Sequence, residues 1–580
     1  MVASLPKDIL GNANLDRFDF AIVGSGAAGS TCADILTRAG YKVLILEAGA
    51  NYYKNLEAPG DNAHESYFSN DSLKFHNRNF ITPDPATEPQ TYRRNESVKR
   101  SFVGDVQLLA RTVGGSLTHA GMKFPRFHPD GFRFMSLARN QPQGANFADW
   151  PVTYDELEPY YQFIEDNLGV QGAAGADPFA GPRSGSFPMP PGADMYSSLL
   201  LADSAKKFGY HPFPIPAAIN SRPFQGRPAC VDCGFCSDHG CPIGAKGLPA
   251  YTFLRKALRS GNAQLRSQTR ARRLLTNTAG NEIQGIEVIG PRGELSTIRA
   301  DRYILAGSPI EDVRLLLASN AASGGVGNAN GLVGRNLMFH LEWYVIGIFE
   351  QRLHSHRGRD FTHAMSDFLG EPGNLEKPVG GLVCFDTAGT VIQEALIYTN
   401  EMGMSGGMLE SAMKQSPLRD RFINVKMIGE DAPQLSNRVD LDPEVKDLNG
   451  IPAARSTYAS QEFELAARRF YSPRLAEIVR GAGAKHTLIA PLSDRPHLTR
   501  HIAGTLRFGR DPRTSVCNPQ GRFHEVGNLY AMDGSLFPTF PGFNPSLTIM
   551  SLASYLAAQL VSPADPRRMV SHPNFRLNQR

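Results

Sequence analysis

No stretch of this sequence is apolar for long enough to cross a bilayer. A spanning helix needs about 18 or more consecutive apolar residues, and no such run occurs. Met1 to Asn14 lacks the basic start and apolar core of a secretory leader. A cytoplasmic location is therefore expected, with export on a partner subunit carrying its own signal left open. Charge of one sign is missing as well. A net charge of +4 on 580 residues gives no electrostatic reason to expect nucleic acid or an anionic membrane as partner. Internal repeats and low-complexity tracts are absent too. Cysteine is scarce, and four of the seven fall between Cys230 and Cys241, which is not the even spread of a disulfide framework. Cys32, Cys384 and Cys517 read as buried apolar fillers. What remains is an ordinary folded composition, 41% hydrophobic and 20% charged, in a chain too long for one small core, so two or more domains are expected.

The strongest local pattern lies near the start. The apolar run Phe20 to Val23 enters Gly24-x-Gly26-x-x-Gly29, a helix-compatible segment follows from Ser30 to Arg38, and a second apolar run, Lys42 to Leu46, ends on Glu47. This strand–turn–helix–strand–acid order is the signature of a dinucleotide site. Gly24 permits the tight turn, Gly26 lets backbone approach a pyrophosphate, and Gly29 allows close helix–strand packing. The helix N-terminus offers free N–H groups and partial positive charge to phosphates. Glu47 can accept hydrogen bonds from two ribose hydroxyls and would repel a 2′-phosphate, which argues against NADP.

Further along, Asn51 to Asn95 is polar and without periodicity, and reads as an excursion of loops. In Gly114-Gly115-Ser116 two consecutive glycines suggest backbone pressed against a flat ligand. Thr153 and Glu156 form a capping box for a helix ending near Leu168 before Gly169. Gln264 to Leu305 has the short alternating runs of a β-meander, and helices are expected over Tyr251 to Arg259 and Glu311 to Ala318. The stretch from Gly334 to about Pro491 reads as a second domain, and an amphipathic helix is expected over roughly Ser546 to Leu560. Met402, Met404, Met408 and Met413 form a stripe that reads as adaptable packing or an apolar substrate wall rather than a cofactor face.

Taken together, the sequence resembles the glucose–methanol–choline (GMC) family of flavoprotein oxidoreductases. The resemblance rests on the Gly24/Gly26/Gly29 unit with Glu47, the Gly114-Gly115-Ser116 turn and Leu305-Ala306-Gly307. Gly331 to Met338, His501-x-x-Gly-Thr and Asp533-Gly534-Ser535 with Asn544-Pro545 match as well. It runs from about Phe18 to Leu560. The Trp150-Pro151 to Tyr161 segment and the cysteine cluster look most like the gluconate-dehydrogenase and pyranose-oxidase branches. The resemblance implies an α/β fold with a discontinuous Rossmann-type FAD domain, made of 17–60, 96–135, 228–335 and 495–565. An α+β substrate domain, whose antiparallel sheet roofs the flavin, would take 136–227 and 336–494, with 61–95 as its loop excursion.

The same resemblance implies roles. His501 would be the base that takes the hydroxyl proton of an alcohol while hydride leaves for flavin N5. Asn544, 43 positions later, would stabilise the developing alkoxide. Asp533 and Gly534 would lie with Gly114, Gly115 and Ser116 at the FAD. His119, four residues after Gly115, occupies the place where some members bind the flavin covalently; a stacked or simply packed histidine is the alternative. His497 is a second, surface histidine. Cys230-x-x-Cys233-x-x-Cys236-x₄-Cys241-Pro242 has one residue more before its last Cys-Pro than the bacterial ferredoxin run. An iron–sulfur cluster, zinc and plain thiols or local disulfides all fit that spacing. The expected activity is oxidation of a sugar, polyol or other hydroxylated compound, with electrons passed to an external acceptor such as a partner subunit, cytochrome or quinone. O₂-using oxidation is the alternative. A hydroxynitrile-type lyase and a non-catalytic flavoprotein are the readings from other classes.

Overall fold

The computed structural model describes residues 8–12, 15, 17–57, 81–138, 141–320, 324–372, 374, 376–386, 390–490 and 500–571. His497 lies outside them. Two six-stranded sheets organise the chain. The first contains Phe18–Val23 flanked in parallel by Val43–Leu46 and Ala300–Leu305, with Ala263–Arg266 and Leu529–Ala531 outside them and the antiparallel edge strand Ile9–Gly11. Phe20, Ala21, Ile22 and the whole of Val43–Leu46 are buried. These strands are apolar throughout because both faces of a parallel sheet are covered. One cover is the helix Ala27–Arg38, packed in turn against Ser546–Val561. The latter helix is not amphipathic as expected. It is wedged between Ala27–Arg38 and the capping-box helix Tyr154–Leu168, and is buried nearly all round.

The second sheet is antiparallel, in the order His486–Ile489, Leu341–Ile348, Phe422–Gly429, Val383–Asp386, Phe361–Met365, Phe213–Pro214. Its two faces differ, as the two-residue period of a strand allows. Trp343, Val345, Val383, Phe385, Val425 and Met427 pack with the helices Tyr196–Lys207 and Glu462–Gly481 into a core of their own. Glu342, Tyr344 and Lys426 face the other way, onto a cavity shared with the parallel sheet. The expected pairing of a Rossmann-type domain with an antiparallel roof is thus the observed architecture.

Two expectations are corrected. The meander comprises Arg270–Thr276, Ile283–Ile289 and Leu295–Ile298 only. Ala263–Arg266 and Ala300–Leu305, which bracket it, belong to the parallel sheet. The region from Asn51 to Asn95 is not all loop either: Thr91–Arg93 runs parallel to Pro452–Thr457 in a four-stranded sheet. Polar residues mask this strand because its anchors are ionic. Glu88 accepts from Arg111 at 2.8 Å and from Arg314 at 3.0 Å, and also pairs with Arg270. Asp447 meets Arg314 at 2.8 Å and Arg270 at 3.2 Å. Burial pushes the Glu88 carboxyl up, but the three guanidinium groups outweigh it and hold it below the usual carboxylate range.

Arg314 and Asp447 are almost fully buried, so breaking this network strands charge away from water. Arg314→Met is expected to cost about 3 kcal/mol, the scale for removing one partner of a buried pair, seen as an earlier urea transition. An unmoved transition would mean that water already solvates the network.

Candidate active site

The cavity begins at the glycine-rich turn. Gly24 has φ +101°, a left-handed conformation that favours glycine, and a Cβ there would come within 2.3 Å of the Ala306 carbonyl. A Cβ on Gly29 would lie 2.0 Å from the Gly24 carbonyl, so helix and strand touch only because both positions lack side chains. Gly26 differs. Its Cβ would meet nothing closer than the Gly115 Cα at 3.8 Å, leaving the space in front of the helix N-terminus to a ligand.

Glu47 closes this turn from beneath. Ser25 N–H and Oγ donate to its Oε2 at 3.1 and 2.6 Å, and Gly49 N–H donates to Oε1 at 2.7 Å. Burial raises the Glu47 carboxyl despite these donors. The expected ribose acceptor therefore also serves as a brace for the phosphate loop. Ser25, which carried no signal beyond its place between two glycines, accepts in turn from Gly114 N–H at 3.2 Å, tying the first turn to Gly114 and Gly115. Both of these glycines have positive φ, +87° and +62°. Ser116 Oγ accepts from Ala110 N–H at 2.8 Å and closes the second turn on itself. Gly115, Ser116, Leu117 and Ala120 line the cavity, whereas His119 is fully buried and is not part of the lining.

Asp533 and Gly534 form the opposite wall. Asp533 accepts from Ser308 N–H at 3.0 Å and Ser535 N–H at 2.9 Å. Asp312, overlooked in the sequence, accepts from Gly307 N–H at 3.0 Å. Burial and the neighbouring Asp533 push the Asp312 carboxyl well above its ordinary range.

At the far end His501 and Asn544 meet, with His501 Nε2 3.2 Å from Asn544 Nδ2. His501 precedes the strand Ile502–Ala503, which pairs with Met338–Phe339, and Asn544 precedes the helix beginning at Ser546. Three residues that sequence reasoning missed surround the ring. Glu342 Oε1 and His340 Nδ1 each lie 3.0 Å from His501 Nδ1, and Lys426 Nζ lies 3.0 Å from Glu342 Oε2. The signal was available: in Met338 to Ile348 the polar residues His340, Glu342 and Tyr344 alternate with apolar ones, as a strand with one face on a site requires. Burial lowers His501 from the ordinary imidazole range, opposed by Glu342 and helped by Lys426 and Lys123. Burial would push Glu342 up, but Lys426 and His501 outweigh it and keep it ionised.

Of the cysteines, Cys230, Cys236 and Cys241 lie near enough to influence one another's thiols. Cys230, Cys233, Cys236 and Cys241 are free thiols, and among the described residues no group of three or more His, Cys, Asp or Glu side chains is placed to hold a metal ion. Cys233 is exposed while Cys236 and Cys241 are buried. The loop is shaped by other contacts: Lys246 Nζ donates to the Cys236 and His239 carbonyls at 2.7 and 2.9 Å, and Asp238 N–H donates to the His119 carbonyl at 2.8 Å. Nor does the methionine stripe reach the cavity. Met402 and Met408 are exposed, and Met404 and Met413 pack on a small separate cluster.

Comparison with known proteins gives the same picture over nearly the full length. The family models described as GMC oxidoreductase match residues 198–342 and 433–553, and a model described as an NAD(P)-binding Rossmann-like domain matches residues 22–52. Paromamine 6′-oxidase of Streptomyces fradiae is 30% identical, covering 94% of this chain and 92% of its own. The 6‴-hydroxyparomomycin C oxidase of Streptomyces lividus is 29% identical over 95% and 94%. Among solved structures, a formate oxidase of Aspergillus oryzae RIB40 superposes with a TM-score of 0.64 at 15% identity, covering 96% of this chain and 99% of that one. At that identity the likeness speaks for the fold.

The glycines make separable predictions. Gly26→Ala should leave the melting temperature nearly unchanged, because its Cβ has room, yet purify with less flavin. Gly24→Ala should lower the melting temperature, because its Cβ collides with the Ala306 carbonyl. Full flavin occupancy in Gly26→Ala would mean that no ligand backs onto that turn.

Proposed function

This chain belongs to the GMC oxidoreductase family, and on that premise we propose that its His501–Asn544 pair oxidises an alcohol group of a polar, hydroxylated compound such as a sugar or polyol. The cofactor is FAD. When bound, it supplies the acceptor, flavin N5, for the hydride leaving the carbinol carbon. The residues present suit it: a glycine-rich turn with open space before a helix N-terminus, a buried acid beneath it, and a second positive-φ turn facing the first.

The observation that carries the reading is His501 Nε2 facing Asn544 Nδ2 at 3.2 Å on the cavity wall. A substrate hydroxyl on the cavity side of this contact lies within hydrogen-bond reach of both. Nε2 takes the O–H proton, and the amide N–H of Asn544 donates to the oxygen as negative charge develops. The carbon thereby gives up hydride and the oxygen gives up a proton, leaving a carbonyl. With its pKa lowered by burial, His501 is neutral near pH 7, as a base must be. Substrate polarity is supported by the roof, where Glu342, Tyr344 and Lys426 rather than apolar side chains face the cavity. The similarity to proteins named as a paromamine 6′-oxidase and a 6‴-hydroxyparomomycin C oxidase supports oxidation as the reaction. The four cysteines enter only through their spacing, and no electron step is routed through them.

His501→Ala should slow flavin reduction by substrate by on the order of 10²-fold or more while FAD stays bound. Unchanged reduction in an anaerobic stopped-flow experiment would remove His501 from the chemistry.

A covalent flavin link through His119 rests on its offset from Gly115; the side chain itself is buried behind the cavity-lining Leu117 and Ala120. Acid-precipitated protein is expected to keep its yellow colour, and His119→Ala to release it. Flavin recovered in the supernatant of the unaltered protein would show that His119 only packs.

A further inference from the structure

A histidine base works only if the nitrogen facing the substrate is bare, and the surroundings of His501 decide which nitrogen that is. His340 Nε2 lies 3.0 Å from the Pro541 carbonyl. A carbonyl can only accept, so His340 carries its proton on Nε2. His340 is fully buried and stacked on Phe540, and burial together with His501 keeps it neutral, so its Nδ1 is bare. The 3.0 Å contact between the two Nδ1 atoms then requires the proton to sit on His501. That proton is shared with the ionised Glu342, also at 3.0 Å. His501 Nε2 is left with its lone pair toward Asn544.

We propose that Glu342 is a positioning residue for the oxidation: it holds the Nδ1 proton on His501 and stabilises the imidazolium formed when Nε2 takes the substrate proton. His340 enforces the tautomer from the other side, and Lys426 fixes the second oxygen of Glu342 at 3.0 Å. This role rests on His501 being the base. Strand register places the device, since Glu342 and Tyr344 are on the cavity face of Leu341–Ile348 and Lys426 lies opposite Tyr344 on Phe422–Gly429.

The other groups facing His501 make the role measurable. Lys426 reaches it from the roof, Lys123 from the chain after the flavin-facing turn, and the neutral His340 from the end of Met338–Phe339. Arg500 beside it is paired with Asp238. Glu342 thus favours the charged imidazole directly. Without its charge, the base should titrate lower while the proton transfer slows.

The experiment is flavin reduction followed against pH in the full-length holoenzyme. Glu342→Gln should be roughly 10–100-fold slower on the plateau, with the acidic limb moved to lower pH by about one unit or more. Glu342→Asp, which keeps the charge, should be intermediate in rate with the limb in place. An unchanged rate and limb in Glu342→Gln would overturn the proposal, as would a slower rate with an unmoved limb. Should Glu342→Gln fail to hold flavin, a shifted limb in Glu342→Asp would overturn it equally. If instead His501→Ala reduces its flavin normally, the underlying assignment of the base fails rather than the role of Glu342.

Discussion

Backbone meeting backbone is the constraint on which the cavity depends. The turn at Gly24–Gly26 is pressed between the Ala306 carbonyl on one side and Gly115 on the other, at separations that leave no room for a side chain at Gly24. Ser25 sits at the junction, donating to Glu47 and accepting from Gly114. Three stretches far apart in the chain are therefore locked into one rigid seam by hydrogen bonds that burial strengthens. A cofactor resting on that seam meets surfaces that need not reorganise to bind it.

The roof depends on a different regularity. Its strands must satisfy an apolar core above and a polar site below, and the two-residue period of the pleat does both at once. Trp343 and Val345 point up while Glu342 and Tyr344 point down. Because Glu342 and Lys426 are on neighbouring strands, the antiparallel register brings their charges within 3.0 Å. A slip of one residue would bury both charges in the upper core and turn Trp343 toward the site. Fold stability and the placement of charge beside His501 are thus the same requirement.

Electrostatics divide the cavity. At the flavin end, buried carboxyls act as braces: Glu47 under the first turn, and Asp533 with Asp312 at the opposite wall. At the substrate end, an ionised Glu342 faces lysines and a neutral histidine pair. The first arrangement holds backbone N–H groups in place. The second places an acid directly beside the His501 ring.

The glycine pattern from Gly24 to Gly29, Glu47 and the capping box at Thr153 were legible because local geometry dictates them. A positive φ, a close helix–strand contact and an orphan helix N–H each demand particular residue types at fixed offsets. The pairing of His501 with Asn544 was legible through resemblance in the spacing of motifs. Tertiary structure alone decided the rest. Thr91–Arg93 is a strand because Pro452–Thr457 and Phe102–Val103 lie beside it, and Ser546–Val561 is buried nearly all round because two helices close over it. The cysteines matched a ligand spacing, yet the loop follows the contacts of Lys246 and Asp238 instead. Glu342 and Lys426 reach His501 from two neighbouring strands, and His340 from the link between Met338–Phe339 and Leu341–Ile348. Spacing along a chain records what neighbours in sequence must do, whereas a charge acts through distance in space, and only folding sets that distance.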